Sequence, residues 1–418
     1  MSSSGIYWIQ KKIVIMIKVG ILDGQAVQAL IVAKQLSKAG FRVILFCDSR
    51  LSYGYYTKYA HERLICPSPE KQIEEFNSFF LKYIESNGLD VVVPMTDYSA
   101  KYLSKNKAAL LDKVAFSIPD YEIFMNGYDK NQLMNVCLNN NIPHPMTIDL
   151  SSLEKGSEVM GFKFPALIKP NQAAGARGFK KVKSFKELWK SYEAIYKEFG
   201  DCHAQEFIPK GGRQFEAQIL IKENEVLMST INEQIRYYPK EGGSSCFNQT
   251  VENDHIIEIC TKALRLIKWE GFADFDLIED PRDGSIKIME INPRVPACIK
   301  SSVIAGVDFP KAIVELSLNQ PITTYVYKPG NYLRYFSLDL LWLFSSQNKL
   351  KLLKSWLNNF FSRKHFFQDG EIMDPVPFIV GAFSGIAKQL DPKFRSKKQG
   401  LNKALLFVIE MDMLLLLV

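Results

Sequence analysis

No stretch of this sequence approaches the roughly 20 consecutive apolar residues that a membrane-spanning helix requires. Ile13 to Leu22 is apolar, but Lys18 interrupts it and Asp23-Gly24 follows, so it reads as a buried strand and not as a signal peptide. Cys-x-x-Cys is absent. The seven cysteines are scattered and odd in number, which argues against a disulfide frame or a zinc site and leaves reduced core thiols in a cytoplasmic protein as the expectation. A dense basic stripe with interleaved aromatics is missing as well. The net charge of +7, from 52 basic and 45 acidic side chains, suits an anionic ligand or surface but not a nucleic acid. The first βα turn is Gly20-Ile-Leu-Asp-Gly24 rather than Gly-x-Gly-x-x-Gly, so no dinucleotide site is expected. The P-loop pattern is not met either, and no internal repeat is present. What remains is an ordinary globular composition, 47% hydrophobic and 23% charged. Its 418 residues are enough for about two or three domains.

Residues 1 to 12 are expected to be an extension. A strand over Lys12 to Leu22 is followed by a helix over Gln25 to Ala39, where Ala29, Leu30, Ala33 and Leu36 keep helical spacing and Gly40 stops it. Phe41 to Cys47 and Leu89 to Pro94 are further strands. Between them Pro69 to Asn87 has Ile73, Phe76, Phe80 and Ile84 on one helical face. Another helix runs to Leu111. This alternation predicts a parallel sheet with right-handed crossovers, a three-layer α/β domain over residues 13–120. Thr96-Asp97 can cap the helix to Leu111; Asp97, at the carboxyl end of a strand, also stands where such sheets bind ligands, with a plain N-cap as the competing reading. One helical stretch is expected over 121 to 141, carrying Asp129-Lys130, with Pro143 and Pro145 after it.

The strongest pattern runs from Phe272 to Arg294. Phe272 to Ile278 alternates large and acidic residues, Pro281-Arg-Asp-Gly284 is turn chemistry, and Ile286 to Ile291 is an apolar, β-branched return. Asp274 and Asp276 share one strand face, and Glu290 and Asn292 share another, because side chains alternate with period 2. Three carboxylates and an amide oxygen in one small volume suit Mg2+, which keeps positions open for phosphate oxygens. Arg294 adds a fixed cation.

Upstream, Phe164 to Lys169-Pro170 is a strand ending in a lysine, followed by Asn171-Gln-Ala-Ala-Gly-Ala-Arg-Gly178. The small residues and the glycines at 175 and 178 make either a loop whose bare N–H groups close over phosphates or a plain hairpin turn. Phe215 to Ile221 alternates as a strand. Arg236 to Cys246 reads as a loop that binds an anionic substrate or is simply solvated.

Glu290-Ile-Asn-Pro-Arg294 after an acidic strand resembles the metal-binding signature of the ATP-grasp superfamily. A lysine-ended strand before a small-residue loop, about 120 residues earlier, is similar to the arrangement of that superfamily. The resemblance covers residues 13 to about 320 and is greatest to the carboxylate–amine ligase and carbamoyl-phosphate-synthase-large-subunit-like branch. It implies a pre-ATP-grasp α/β domain over 13–120, an ATP-grasp N-lobe over 121–205, a C-lobe with the metal hairpin over 206–324, and a helical extension over 325–418. ATP with Mg2+ or Mn2+ is the implied cofactor. Asp274, Asp276, Glu290 and Asn292 would hold the metal. Lys130, Lys169, Gly175, Gly178, Gln205, Glu206, Ile208 and Gln214 would bind the nucleotide: Gln205 or Glu206 at the adenine amino group, backbone near Ile208 at the ring, and Gln214 nearest the ribose position, with Glu216 two residues along. Arg294, Arg236 and Lys169 would act on the reacting groups.

The implied reaction phosphorylates a small carboxylate and transfers the acyl group to an amine, with ADP and phosphate as products. Two other readings stay open: bicarbonate and ammonia chemistry, and an ATP-binding peripheral membrane or scaffold protein. The C-terminal region is rich in Leu, Trp and Phe with Lys349, Lys351, Lys354, Arg363 and Lys364. It reads as a helical cap with a solvated basic face, or as a weak membrane-surface or partner contact. A homodimer is a further expectation.

Overall fold

The computed structural model describes residues 16–381 except 173–177, 241, 242, 359, 361 and 372. The expected N-terminal extension, Gly175 and the apolar tail Leu414 to Val418 lie outside the described residues.

The chain opens on a parallel sheet of β1 (Lys18–Ile21), β2 (Arg42–Cys47), β3 (Glu62–Ile65) and β4 (Val91–Val93), in the order β3-β2-β1-β4. The crossovers carry α1 (Gln28–Lys38) and α2 (Ile73–Asn87). These sit about where the apolar periodicity put them, and β3 was not foreseen. β1 and β4 are wholly buried apart from Lys18, so their runs of Val and Ile show no alternation. After β4 come α3 (Asp97–Lys105) and α4 (Lys107–Leu110). Thr96, not Asp97, caps α3, in a reciprocal box with Ser99. Asp23, at the end of β1 with φ of 60°, accepts hydrogen bonds from both hydroxyls and fixes this corner.

The single helical stretch expected over 121–141 is two helices, α5 (Tyr121–Tyr128) and α6 (Lys130–Asn139). Asp129 divides them: its carboxylate accepts from the N–H groups of Asn131 and Gln132, so the chain restarts a helix at Lys130. A second sheet follows, built from β5 (Thr147–Asp149), β6 (Ala166–Pro170), β7 (Lys180–Val182) and β8 (Cys202–Glu206) in the order β5-β8-β6-β7, all pairs antiparallel. α7 (Phe185–Phe199) covers it, with Leu188 and Trp189 buried.

The third sheet has seven strands. In chain order its strands and the intervening helices are β9 (Gln214–Lys222), β10 (Glu225–Tyr238), β11 (Ser244–Val251), α8 (Asp254–Ile267), β12 (Gly271–Glu279), β13 (Ile286–Asn292), α9 (Ile299–Ile304), α10 (Phe309–Ser317), β14 (Tyr332–Arg334), α11 (Phe336–Phe344), α12 (Lys349–Asn358) and β15 (His365–Phe367). The strand order is β13-β12-β9-β10-β11-β14-β15. Residues beyond 325 therefore supply the expected helices, α11 and α12, and also two strands, β14 and the edge strand β15, that extend the same sheet. Among the described residues no helix is long and apolar enough to cross a membrane.

One face of this sheet, with Phe215, Ala217, Ile219, Phe275 and Leu277, joins α5, α6 and α8 in a common core. That core is continuous with the N-terminal domain through Phe46, Phe76 and Phe80, so the domains share one apolar interior. Gly271 is the joint: its φ is 94°, and a Cβ there would stand 2.4 Å from the Ser117 carbonyl oxygen. Gly271→Ala is expected to destabilise the fold by about 2 kcal/mol or more, read as a lowered denaturant midpoint.

Candidate active site

The hairpin anticipated from the sequence is β12 and β13, antiparallel, with Asp274 opposite Asn292 and Asp276 opposite Glu290. β9 lies on the other side of β12 and puts Gln218 beside Asp274 and Glu216 beside Asp276. Registered neighbours share a face, so two polar rows cross three strands. Glu216 was placed near a ribose position by sequence spacing; pairing instead brings it into the acidic rows. Gln218 Nε2 donates to Asp274 at 2.8 Å, and Asn292 Nδ2 donates to Asp274 at 3.3 Å and Asp276 at 3.4 Å. Burial raises both aspartates well above the usual carboxylate range, and the neighbouring Glu216 and Glu290 charges push the same way.

Three cations answer these carboxylates. Lys130, the first residue of α6, lies 3.1 Å from Glu290. Its backbone N–H donates to the Asn171 carbonyl, which ties the start of α6 to the end of β6. Arg294 Nη2 donates to Asn292 Oδ1 at 3.2 Å, its Nε is 3.3 Å from Asp97, and Nη1 is 4.0 Å from Asp274. Asp97, freed from capping by Thr96, thus faces the hairpin from the N-terminal domain. Lys169 on β6 donates to Gln205 Oε1 at 2.7 Å. Burial lowers the Lys169 ammonium to about 8, against the attraction of Glu290. Burial alone would raise Glu290, but Lys130, Asp276 and Lys169 hold it down at about 2. The arrangement is a half-closed shell of alternating charge.

The stretch expected as a hinge, around Gln205 to Ile208, differs from expectation in its side chains. The Glu206 carboxylate accepts from the Met146 N–H and pairs with Arg282 at 3.1 Å and Lys287 at 3.5 Å. Asp280 completes that network and links the hinge to the hairpin turn. Gln205 bonds Lys169 and, through Nε2, Thr147. Both side chains expected at an adenine amino group are thus already engaged. Ile208 is buried and Gln214 opens β9 half-buried. Gly178 has φ of 74°, and a Cβ there would press within 2.8 Å of Phe199 and Pro170, so only glycine fits.

Arg236 is a correction. It lies within β10 and not on a loop, and its guanidinium is 3.0 Å from Asp339, over the rings of Phe247 and Trp342. Among the described residues no hydrogen bond or ion pair joins it to the acidic rows. Its signal in the sequence was a lone cation before glycines; the partners that claim it lie about 100 residues on.

Sequence reasoning missed His203. It is registered opposite Lys169, fully buried, with Nδ1 2.8 Å from Asn171 Oδ1 and Nε2 without a partner among the described residues. Burial and the nearby Lys169 and Lys130 hold it neutral. Its place two residues before Gln205 on the same strand face was the available clue.

Residues 128–298 match the model of the ATP-grasp domain family. The chain is 25% identical over 269 residues to a D-aspartate ligase of Enterococcus faecium (strain Aus0004). That alignment takes in 58% of this chain and spans only 63% of the length of the relative. Among solved structures, a biotin carboxylase–ATP complex from Campylobacter jejuni has a TM-score of 0.63 at 14% identity, covering 76% of this chain and 74% of that one. An ADP complex of N5-carboxyaminoimidazole synthetase from Staphylococcus aureus has a TM-score of 0.58 at 15% identity, covering 82% and 86%. An L-amino acid ligase from Bacillus licheniformis has a TM-score of 0.57 at 17% identity, covering 73% and 75%. Residues 128–298 therefore match the ATP-grasp domain family, within a chain that shares the fold of the biotin carboxylase over 76% of its length.

Proposed function

We propose that this chain is an ATP- and Mg2+-dependent ligase that activates a small carboxylate as an acyl phosphate and passes the acyl group to an amine. The observation that supports this reading is the gathering of Lys130 from a helix, Lys169 from β6 and Arg294 just beyond β13 around Glu290, Asp276 and Asp274 of the hairpin. Asp276 and Glu290 stand directly opposite each other, with Asn292 at their side. Among the described residues no three acidic, His or Cys side chains form a metal cage. Mg2+ carried by a nucleotide takes only one or two carboxylates from the protein and fills its other positions with phosphate oxygens and water, so this donor set fits. Bound there, the metal would neutralise charge on the terminal phosphates.

The chain's own groups then have separable tasks. Lys169 and Lys130 hold phosphate oxygens as point charges. Arg294, oriented by Asn292 and Asp97, meets the reacting carboxylate with a rigid fork of donors. No side chain has to act as a nucleophile, since positioning and fixed charge supply the rate. In the D-aspartate ligase the name itself states a carboxylate-bearing amino acid as substrate, which supports the same reaction class here.

The test is product identity. With a panel of amino acids and small carboxylates, ATP and hydroxylamine in place of the amine, a hydroxamate should form with ADP and inorganic phosphate. AMP and pyrophosphate would sink the mechanism. A pH dependence follows from Lys169. Free, it loses its proton near pH 8; a bound phosphate favours the ammonium. ATP binding should therefore take up a proton above about pH 8 and weaken as pH rises through that range, by calorimetry in buffers of different ionisation enthalpy. Lys169→Met should bind less tightly at neutral pH and lose the dependence.

A further inference from the structure

The surface of α12 has no assigned role, and its composition is unusual. From Leu340 to Gln368 the sequence holds no Asp or Glu, while Lys349, Lys351, Lys354, Arg363 and Lys364 all fall within it. The acidic residues that bracket this span, Asp339 and Asp369, are buried. Leu350, Leu353 and Leu357 are 86%, 38% and 44% exposed. Spaced by three and four, they form one stripe along the helix, and Lys351 and Lys354 lie along its outer margin, with Lys349 on the other side.

The adjoining face, on the Lys349 side, is anchored. Trp356 is buried and donates from Nε1 to Asp339 at 2.7 Å, and Leu352 packs against the cluster of Leu340, Leu343 and Trp356. The leucine stripe is therefore presented by a helix fixed to the body of the protein. Exposed leucines one turn apart are not explained by the core, which is complete on the Trp356 side. An apolar stripe edged with lysine stems suits an interface that is apolar within and anionic at its rim, and long lysine side chains can reach back to that rim.

We propose that α12 docks this protein onto an anionic lipid surface, with Leu350, Leu353 and Leu357 seated at the headgroup boundary and Lys349, Lys351 and Lys354 meeting lipid phosphates. Charge complementarity selects the occupant. A second copy of the chain would bring the same lysines against these, whereas an anionic bilayer neutralises them and accepts the leucines. The docking is independent of turnover and leaves the acidic cleft untouched.

The experiment is co-sedimentation of the full chain with vesicles of phosphatidylcholine alone or mixed with phosphatidylglycerol. Binding is expected only to the mixed vesicles, falling as salt shortens the screening length. Leu350→Ser with Leu353→Ser should lower partitioning about tenfold. Lys351→Glu with Lys354→Glu should lower it by at least as much. All four sites are exposed, so melting temperatures should stay put, which guards against loss by misfolding. Retained binding in both variants would overturn the proposal and place any lipid affinity elsewhere in the chain. Equal binding to neutral vesicles would overturn the electrostatic half. Loss of a dimer in the leucine variant, without any vesicle binding by the parent protein, would give the stripe to a second copy instead.

Discussion

Glu290→Gln should reduce ADP release by about a thousandfold, a loss of roughly 4 kcal/mol of transition-state stabilisation, while leaving the fold in place. Glu290 is the carboxylate that this site keeps ionised most firmly. It lies 3.1 Å from Lys130, opposite Asp276, and within the field of Lys169. Its amide keeps the shape and loses the charge. Nucleotide should still bind, because Lys130 and Lys169 keep their charges. What disappears is the anionic seat for the metal, so binding and turnover separate. Asp274→Asn is the companion variant, and its effect should be smaller. Asp274 is nearly inaccessible, burial and the Glu216 charge raise its pKa, and it is bonded by Gln218 and Asn292, so it is less available to a metal than Glu290. Calorimetry for ATP and a coupled ADP assay decide the matter. Wild-type turnover in both variants would make the hairpin a structural element and remove the basis of the proposed reaction.

This ordering of effects was legible in the sequence only as far as neighbours along the chain go. Asp274, Asp276, Glu290 and Asn292 could be placed together because two short alternating strands and one turn determine which residues face each other. Lys169 could be placed at a strand end for the same reason. Glu216 could not be placed, since its entry into the acidic rows depends on β9 pairing with β12, about 60 residues on, and spacing says nothing about that pairing. Lys130 was attached to the phosphates through resemblance alone. The structure shows the local device, an aspartate that ends one helix and caps the next, so that Lys130 begins a helix facing Glu290. Glu206 shows the converse. It was expected at a hinge beside the nucleotide, but its carboxylate is engaged by Arg282 and Lys287, whose approach requires the hairpin turn to fold back. The C-terminal strands β14 and β15 escaped notice because three-residue strands carry no periodicity.

Arg236 is where pattern and packing diverge most, and a stability measurement separates them. Asp339→Ala should destabilise the chain by about 3–5 kcal/mol. Asp339 is fully buried and stands 3.0 Å from Arg236 and 3.3 Å from Arg334, and it accepts from Trp356 Nε1. Arg334 is itself almost wholly enclosed, against the rings of Phe247, Trp356 and Phe360. Burial lowers both arginines and raises the aspartate, so the cluster is held against desolvation at every member. Without Asp339, two guanidinium groups remain among aromatic rings with no counter-charge, and the indole loses its acceptor. Asp339→Asn, which can keep the bond to Trp356, should cost less. Removing the exposed pair Lys155–Glu193 should cost under about 1 kcal/mol and serves as the control. Because α11 and α12 are fastened to the sheet through this cluster, the loss should appear first as protease sensitivity after about residue 330, with ATP binding retained at low temperature. The opposite result, a stable Asp339→Ala protein that binds ATP but has lost turnover, would return Arg236 to the reacting groups where its sequence context had placed it.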